Sequence, residues 1–429
     1  VVDASVATSG AETRRRSVLR DVAFLRLWTG ATASGLATWA LPFVLGLAVL
    51  NGTLTAAGLG VLLAARTVGF LVAVPVAGVL ADRHSRRGVV LWAGLAAAAA
   101  APVMAVGLGR SIPFMAVAAA VAGAGQGACR PAYQALTAEV VDEDRRQQAN
   151  AALTLAVRVT TLAGPSLTAL AALFLGTGTL LLGIGLLWLL AALVPGPGAR
   201  LAVETAGIGG RQPRVRVWAE FADGVREARA HPWFLAGLGA LTAVIATGYS
   251  ATGVALPMIS RDEYGGEVVL AAATTAYTAG ALAGALFVAR GRPRSQGWTA
   301  LAGVAAYGFA PLSLMIHVHP GVVVAAYAVA GAGIELFNVP WFTATQREVA
   351  PDKLARVSSL DFLLSYGLAP LGLVLIAPAI GAFGTGPVLG ACALTCFVAP
   401  AIAALVPGAR HFSRRRPCPK TMLEAGTGA

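Results

Sequence analysis

Charged residues are scarce in this chain: Asp, Glu, Lys and Arg make up 12% of its 429 residues, about half the share usual in a soluble domain. Lysine is nearly missing, with only Lys353 and Lys420. A chain so poor in charge and 57% hydrophobic has too little polar surface to coat a soluble globule. Histidine is rare as well. His84, His231, His317, His319 and His411 form no group with metal-ligand spacing, and His317 and His319 fall together in a connection. Of the four cysteines, Cys129, Cys392 and Cys396 lie inside apolar runs, where a thiol packs as a small hydrophobe, and Cys418 lies near the C-terminus. Neither a metal site nor redox chemistry is predicted. Neither lysine follows a glycine, so the Gly-x4-Gly-Lys-Ser/Thr phosphate loop of an ATP-driven pump is missing.

What the sequence has is apolar length. Runs long enough to cross a bilayer occur at roughly 25–49, 55–81, 88–109, 112–136, 148–174 and 179–195. Six more follow at roughly 233–257, 267–289, 298–318, 321–345, 357–382 and 386–406. The predicted fold is therefore all-α, with twelve transmembrane helices in two groups of six. The formal net charge is +12. In a soluble protein that would suggest nucleic acid, but here the arginines fall in the short connections, which indicates membrane orientation and no nucleic-acid partner. With the N-terminus placed in the cytoplasm, 26 of the 32 Lys and Arg fall on the cytoplasmic side and only Arg110 and Arg261 on the other. Both termini are expected in the cytoplasm, and the chain in the inner (plasma) membrane. The first residues, with Arg14, Arg15, Arg16 and Arg20, do not read as a cleaved leader.

These runs divide the chain into a cytoplasmic tail at 1–24, a bundle at 25–195, a linker at 196–232, a second bundle at 233–406 and a basic tail at 407–429. The linker opens on Pro195-Gly196-Pro197-Gly198, which stops the sixth span. It continues into a stretch where Trp218, Phe221 and Val225 share one helical face, with Arg216, Glu220, Asp223 and Arg226 elsewhere around it. Such a helix either lies in the headgroup plane between the bundles or is a solvated linker. The two halves also repeat each other at an offset of 209 residues. Pro131 before Glu139-Val140 matches Pro340 before Glu348-Val349, Phe24 matches Trp233, and Gly88 matches Gly297. Gly123-Ala124-Gly125 and Gly331-Ala332-Gly333 correspond after a slip of one residue. Two like halves that rock around a shared centre are what alternating access requires.

Between the second and third spans the chain reads Gly78-Val79-Leu80-Ala81-Asp82-Arg83-His84-Ser85-Arg86-Arg87-Gly88. This resembles the signature loop of the major facilitator superfamily, Gly-x-Leu-Ala-Asp-Arg-x-x-Arg-Arg/Lys, at the position where that family carries it. The resemblance covers roughly residues 20–406. Asp82 ends a helix whose own dipole disfavours a carboxylate there, so it needs a cation or the N-terminus of another helix. The resemblance supplies that partner in the eleventh span. Here that span starts near Arg356-Val357-Ser358-Ser359-Leu360-Asp361. The expectation is a latch with Asp82 on the start of the eleventh span and Arg83 or Arg86 turned toward Asp361; the alternative is a loop retained only for its topogenic charge. The matching turn of the second half, Ala289-Arg290-Gly291-Arg292-Pro293-Arg294, has arginines but no Asp, so the latch is one-sided.

Residues Cys129 to Leu136, Glu139-Val140-Val141, Asn150-Ala151 and, later, Ala369-Pro370-Leu371-Gly372 are similar to the branch of bacterial siderophore exporters and macrolide efflux carriers. Gly164-Pro165 resembles the antiporter motif of the fifth span, although Thr168-Ala169 replace its final Gly-Gly pair.

Ionisable residues at bilayer depth are costly and mark pathways or pairs. Arg66 and Arg158 lie near mid-span and Arg130 lies in the inner third of the fourth span, while Glu335 sits in the middle of the tenth and Asp361 near the inner end of the eleventh. At the repeat offset Glu335 corresponds to Gln126. Gln126 and Arg130 share a face at i,i+4, and Glu335 and Asn338 at i,i+3. Glu335 is either a protonatable cavity carboxylate that alternates between a proton and Arg130 or a substrate cation, or a fixed structural ion pair. Trp39, Phe43, Tyr249, Trp341 and Phe342 either stack on a bulky substrate or face lipid.

Together these features predict a monomeric secondary carrier, not an enzyme. It would need no cofactor and would be powered by the proton gradient, exporting amphipathic small molecules such as drugs, secondary metabolites or siderophores. A carrier that takes up a polar nutrient and a membrane scaffold or enzyme are the alternatives. Lipid and a small-molecule substrate are the expected partners.

Overall fold

The computed structural model describes residues 17–83, 85–196, 217–265, 268–291, 295–367 and 369–413. The arginines predicted at 14–16, 200–216, 292–294 and 414–416, together with His84, Cys418 and Lys420, lie outside the described residues.

The first half holds α1 (Val22–Leu50), α2 (Ala56–Arg83), α3 (Arg86–Gly107), α4 (Ile112–Val140), α5 (Arg146–Ala172) and α6 (Thr177–Leu193). A linker helix follows, α7 (Val217–Arg229). The second half begins with α8 (Pro232–Val244) and α9 (Ser250–Asp262), joined through a π-helical turn at Ile245–Tyr249 into one continuous crossing. It continues with α10 (Val268–Arg290), α11 (Gln296–Ala305), α12 (Phe309–Ser313), α13 (Pro320–Glu348), α14 (Leu354–Gly367), α15 (Ala369–Phe383) and α16 (Thr385–Ala404). Among the described residues, nine helices are long and apolar enough to cross a membrane. α6, the pair α11/α12 and the pair α14/α15 complete a twelve-helix membrane fold. One of the predicted runs differs in detail: the ninth bends through a 3-10 turn at Ala306–Gly308 and ends at Ser313, short of 318.

Local sequence sets where these helices start. Asp21 caps α1 by accepting from the amide of Ala23 at 3.0 Å, and Ser85 caps α3 by accepting from Gly88 at 3.0 Å. Both satisfy amides that a first helical turn leaves without partners. Pro232 and Pro320 open α8 and α13, where a missing N–H costs nothing.

Lipid gives helices little hydrophobic reason to associate, so packing in a bilayer relies on close backbone approach. Both halves use the same device. Gly69 of α2 sits against the carbonyl of Ala120 in α4, and Gly123 of α4 sits against the carbonyl of Arg66 in α2. In the second half, Gly280 of α10 meets the carbonyl of Ala328 in α13, and Gly331 of α13 meets the carbonyl of Tyr277 in α10. A Cβ at any of the four positions would overlap a carbonyl oxygen. The repeat is thus a pair of matching glycine joints, and it makes Arg66 and Tyr277 equivalent positions.

The halves meet along α2/α14 and α5/α10. Gly78 lies against Ser359 and Ala355, Leu71 lies against Gly367, and Ala151 packs with Val288 and Val339. Polar contacts crowd the end that carries the α2–α3 turn. The Nε2 of Gln147 donates to the carbonyls of Val288 at 2.5 Å and Gly291 at 2.9 Å. Asn150 donates to Oε1 of Gln346 at 2.9 Å, and Gln346 donates to Oε1 of Gln134 at 3.1 Å. This end, called the basic end below, is closed by contacts between the halves.

Gly123→Val and Gly331→Val are expected to lower the stability of the detergent-purified protein by about 1–3 kcal/mol each, the usual cost of overpacking. Gly46→Ala, where a Cβ meets nothing within 4 Å, is expected to leave the melting midpoint unchanged. Thermal unfolding followed by tryptophan fluorescence checks the contrast.

Candidate functional site

Two groups of charges lie on the seam between the halves: one at membrane depth and one at the basic end.

At depth, Glu335 of α13 is completely buried. Its Oε1 accepts from the Nε of Arg158 at 2.6 Å and lies 2.5 Å from Nη2 of the same guanidinium. Asn338 donates to the other carboxylate oxygen at 3.4 Å. The Arg158 guanidinium also lies 5.7 Å from the ring centre of Tyr277 on α10. Arg158 belongs to α5 and Glu335 to α13, so the ion pair ties one half to the other. Each residue is about 18–20 Å along its helix from the basic end at 1.5 Å per residue. The expected partner of Glu335 was Arg130; the structure gives it Arg158. The offset of the repeat pairs α4 with α13, but α5 passes closer to this face of α13, and a repeat records equivalence without fixing which neighbour is in reach.

Arg130 lies over the ring of Phe362 on α14, 5.9 Å from its centre. Its neighbour Gln126 accepts from Nη2 of Arg66 at 2.6 Å, and the same nitrogen donates to the carbonyl of Thr38 at 3.2 Å. Phe70, Val74 and Phe362, with Phe342 beside them, form a small apolar cluster across the seam on the same side. Of the aromatic candidates, Phe342 lies here. Trp341 does not: it is fully buried and stacked on Phe234 and Phe337, at 4.8 and 5.1 Å between ring centres. It is a packing residue of the second half. Tyr249, the last residue of the π turn, is 49% exposed, and Trp39 packs against Gly164, which lets α5 approach α1. Pro165 follows within α5.

At the basic end, Asp82 stands at the C-terminus of α2 and reaches the first turn of α14. Its two carboxylate oxygens accept from the amides of Ala355 and Arg356, each at 2.9 Å. Arg86 and Arg356 flank it at 3.6 and 3.5 Å. A carboxylate that its own helix dipole disfavours thereby serves as an N-terminal cap for a helix of the other half. Arg86 is buried and reaches Glu139 at 3.0 Å and the carbonyl of Ala135 at 3.0 Å, and it also donates to the carbonyl of Pro351. Arg87 donates to the carbonyl of Leu193 at 3.4 Å, and the amide of Gly88 is held by the Ser85 cap. Gly78 fits against Ser359 because it has no side chain.

The sequence led to the expectation that Arg83 or Arg86 turns toward Asp361, and the structure pairs them with other carboxylates. Asp361 is buried two turns into α14, where it accepts from Nε1 of Trp341 at 3.1 Å and from Ser365 at 3.2 Å. Arg83 instead pairs with Glu220 of the linker helix at 2.6 Å, and Glu220 lies 3.9 Å from Arg356. One turn-pair on, Glu227 accepts from Lys353 at 2.8 Å, a bond that holds the Glu227 carboxyl below its ordinary range. α7 therefore docks through Glu220, Gly224 and Ala228, with Gly224 against Arg356. The helix, expected either in the headgroup plane or as a solvated linker, packs on the protein: Phe221 and Val225 lie against the core while Trp218 is exposed. Glu220, Glu227 and Lys353 were not legible as partners. The seven-residue spacing of the two glutamates was the available signal.

The two sites and the twelve helices define a transport protein rather than an enzyme. The sequence profile of the Major Facilitator Superfamily matches residues 27–372, and the chain belongs to that superfamily. No curated protein sequence matches it significantly. Among solved structures, the human organic anion transporter MFSD10 (TETRAN) is similar over 90% of this chain and 100% of its own, with 14% identity and a TM-score of 0.68. A bacterial homologue of the iron transporter ferroportin in an outward-facing state is similar over 89% of this chain and 96% of its own, with 18% identity and a TM-score of 0.68. These likenesses speak to the fold.

Arg86→Ala leaves Asp82 and Glu139 buried beside a missing cation, and such a loss costs about 3–5 kcal/mol. Arg83→Ala, at a pair whose side chains are 18% and 10% exposed, is expected to cost less, about 1–3 kcal/mol, because Glu220 still has Arg356 at 3.9 Å. Denaturation of the two variants in the same detergent tests this order.

Proposed function

We propose that this transporter is a secondary active carrier that exports amphipathic small molecules from the cytoplasm across the cell (inner) membrane, driven by protons moving inward. The observation that carries this reading is the Arg158–Glu335 pair: a fully buried carboxylate at bilayer depth whose partner belongs to the other half. Alternating access must separate the halves, so this pair has to be broken and remade in every cycle. Breaking it with both charges intact would strand two ions in a poor solvent. A proton on Glu335 removes that penalty, because the carboxyl becomes neutral as Arg158 leaves. The pair is thus a gate that a proton can open.

Asp82 on α14 is the matching latch at the basic end. The arginine-rich connections support placing that end, and both termini, in the cytoplasm. With the latch engaged the cytoplasmic side is closed; opening inward must release two amide bonds and the flanking arginines together. Export is favoured by the resemblance of the α4–α5 region and Gly164-Pro165 to efflux carriers. The neighbour solved as an organic anion transporter is compatible with a small organic substrate. One chain supplies both halves, so a monomer suffices.

In proteoliposomes, Glu335→Gln is expected to abolish substrate accumulation driven by a pH gradient while retaining exchange of substrate between the two sides. Unaltered gradient-driven accumulation overturns the coupling role. Asp82→Asn is expected to reduce transport tenfold or more with insertion intact, and transport at the parental rate would exclude the latch. Comparing compound accumulation in cells with and without the protein distinguishes export from uptake.

A further inference from the structure

We propose that Gln147 is a second latch residue of the basic end, an uncharged clasp that answers Asp82 across the repeat with donor and acceptor exchanged. The inference deepens the alternating-access reading above and rests on it.

The internal repeat supplies the starting point. At its offset of 209 residues, Asp82 corresponds to Gly291 and Gln147 to Arg356. The Asp82 latch joins the C-terminal end of α2 to the first turn of α14. Its counterpart therefore belongs where the C-terminal end of α10 meets the first turn of α5. A contact is present there. Gln147, the second residue of α5, is buried, and its Nε2 donates to the carbonyls of Val288 at 2.5 Å and Gly291 at 2.9 Å. Gly291 has no carboxylate to offer, yet the two helix ends are still joined, because here the side chain comes from the opposite partner.

The physics of helix ends explains the exchange. The last carbonyls of a helix have no donors within it and carry the negative end of its dipole. On the first side, that end of α2 bears Asp82, and the amides of Ala355 and Arg356 supply the donors. On the second side the acceptors are the carbonyls at the end of α10 themselves. A primary amide has two N–H groups, so one glutamine can satisfy two carbonyls. Glutamine is also neutral at every physiological pH. The contact is made without burying a charge, and no proton gained or lost can release it. One latch is thus ionic, flanked by Arg86 and Arg356, and the other is uncharged.

Neighbouring contacts tie Gln147 to the opening of the seam. One turn along α5, Asn150 donates to Oε1 of Gln346 at 2.9 Å and to Oγ1 of Thr343 at 3.0 Å, both on α13. Ala151 packs with Val288 and Val339. Each of these contacts runs from the first half to the second. Halves that separate as firm bodies must break the Asp82 and Gln147 contacts in the same step. Each latch then adds to the stability of the closed basic end, and weakening either one shifts the whole protein toward the state open at that end. Gln147 is in this sense a positioning residue, acting on the balance of states.

The test uses cysteine reporters in the full chain, purified in detergent, with its four native cysteines replaced by alanine. Ala151→Cys reports the α5/α10 side of the seam. Ser359→Cys, buried against Gly78, reports the α2/α14 side. Gln147→Ala is expected to raise the rate of maleimide labelling at both positions by about fivefold or more, the effect of removing a buried hydrogen-bonded amide. Gln147→Glu keeps the size of the side chain but, ionised in alkaline buffer, has no N–H to donate; it is expected to label at least as fast. Thermal midpoints confirm that both variants are folded. A rise confined to Ala151→Cys is local loosening and overturns the proposal, as does unchanged labelling at both positions or parental labelling in Gln147→Glu. Asp82→Asn with the same reporters separates the two readings. If Asp82→Asn exposes Ser359→Cys and Gln147→Ala does not, the uncharged latch alone fails. If Gln147→Ala exposes both reporters and Asp82→Asn neither, the Asp82 latch alone fails.

Discussion

The close approach of helix backbones at four glycines is the constraint on which the other features of this transporter depend. In a bilayer, apolar side chains gain nothing by leaving lipid for protein, so the helices of each half are held by contact area and by what small residues allow. Gly69 and Gly123 bring α2 and α4 together, and Gly280 and Gly331 do the same for α10 and α13. These joints make each half a firm body. Only firm bodies can concentrate motion at the seam between them, and only then do charges placed on the seam control it.

The seam carries its charges in two layers with different physical characters. At the basic end, Asp82 caps a helix of the opposite half and is surrounded by arginines that also reach Glu139, Glu220 and backbone carbonyls. The bonds there are many and shared. The linker helix belongs to it, since Glu220 and Glu227 draw α7 onto Arg83, Arg356 and Lys353. At membrane depth the layer is sparse. Among the described residues, Glu335 meets Arg158 there across the seam.

How far these features could be read beforehand varies by residue. Asp82 was legible because a carboxylate at a helix C-terminus is a local contradiction that demands an outside partner, and the resemblance to the superfamily loop named that partner. The repeat was legible in Gly123 and Gly331, which turned out to be joint residues. The partner of Glu335 was not: the offset pointed toward Arg130, while the structure uses Arg158 on the adjacent helix. Asp361 misled for a similar reason. It lies beside the latch in sequence, but its face of α14 turns toward Trp341 of its own half.

The sequence by itself determined the number and apolarity of the crossings, the asymmetry of charge along the connections, the internal repeat and the presence of a few ions at depth. Each follows from solvation: lipid and water sort residues one at a time, and that sorting is written in linear order. Tertiary structure alone decided which ion meets which. Pairing across the seam depends on how two rigid bundles are rotated against each other. One residue's shift along a helix turns a side chain by about 100°, so the choice of Arg158 over Arg130 is made by packing geometry rather than by composition or spacing.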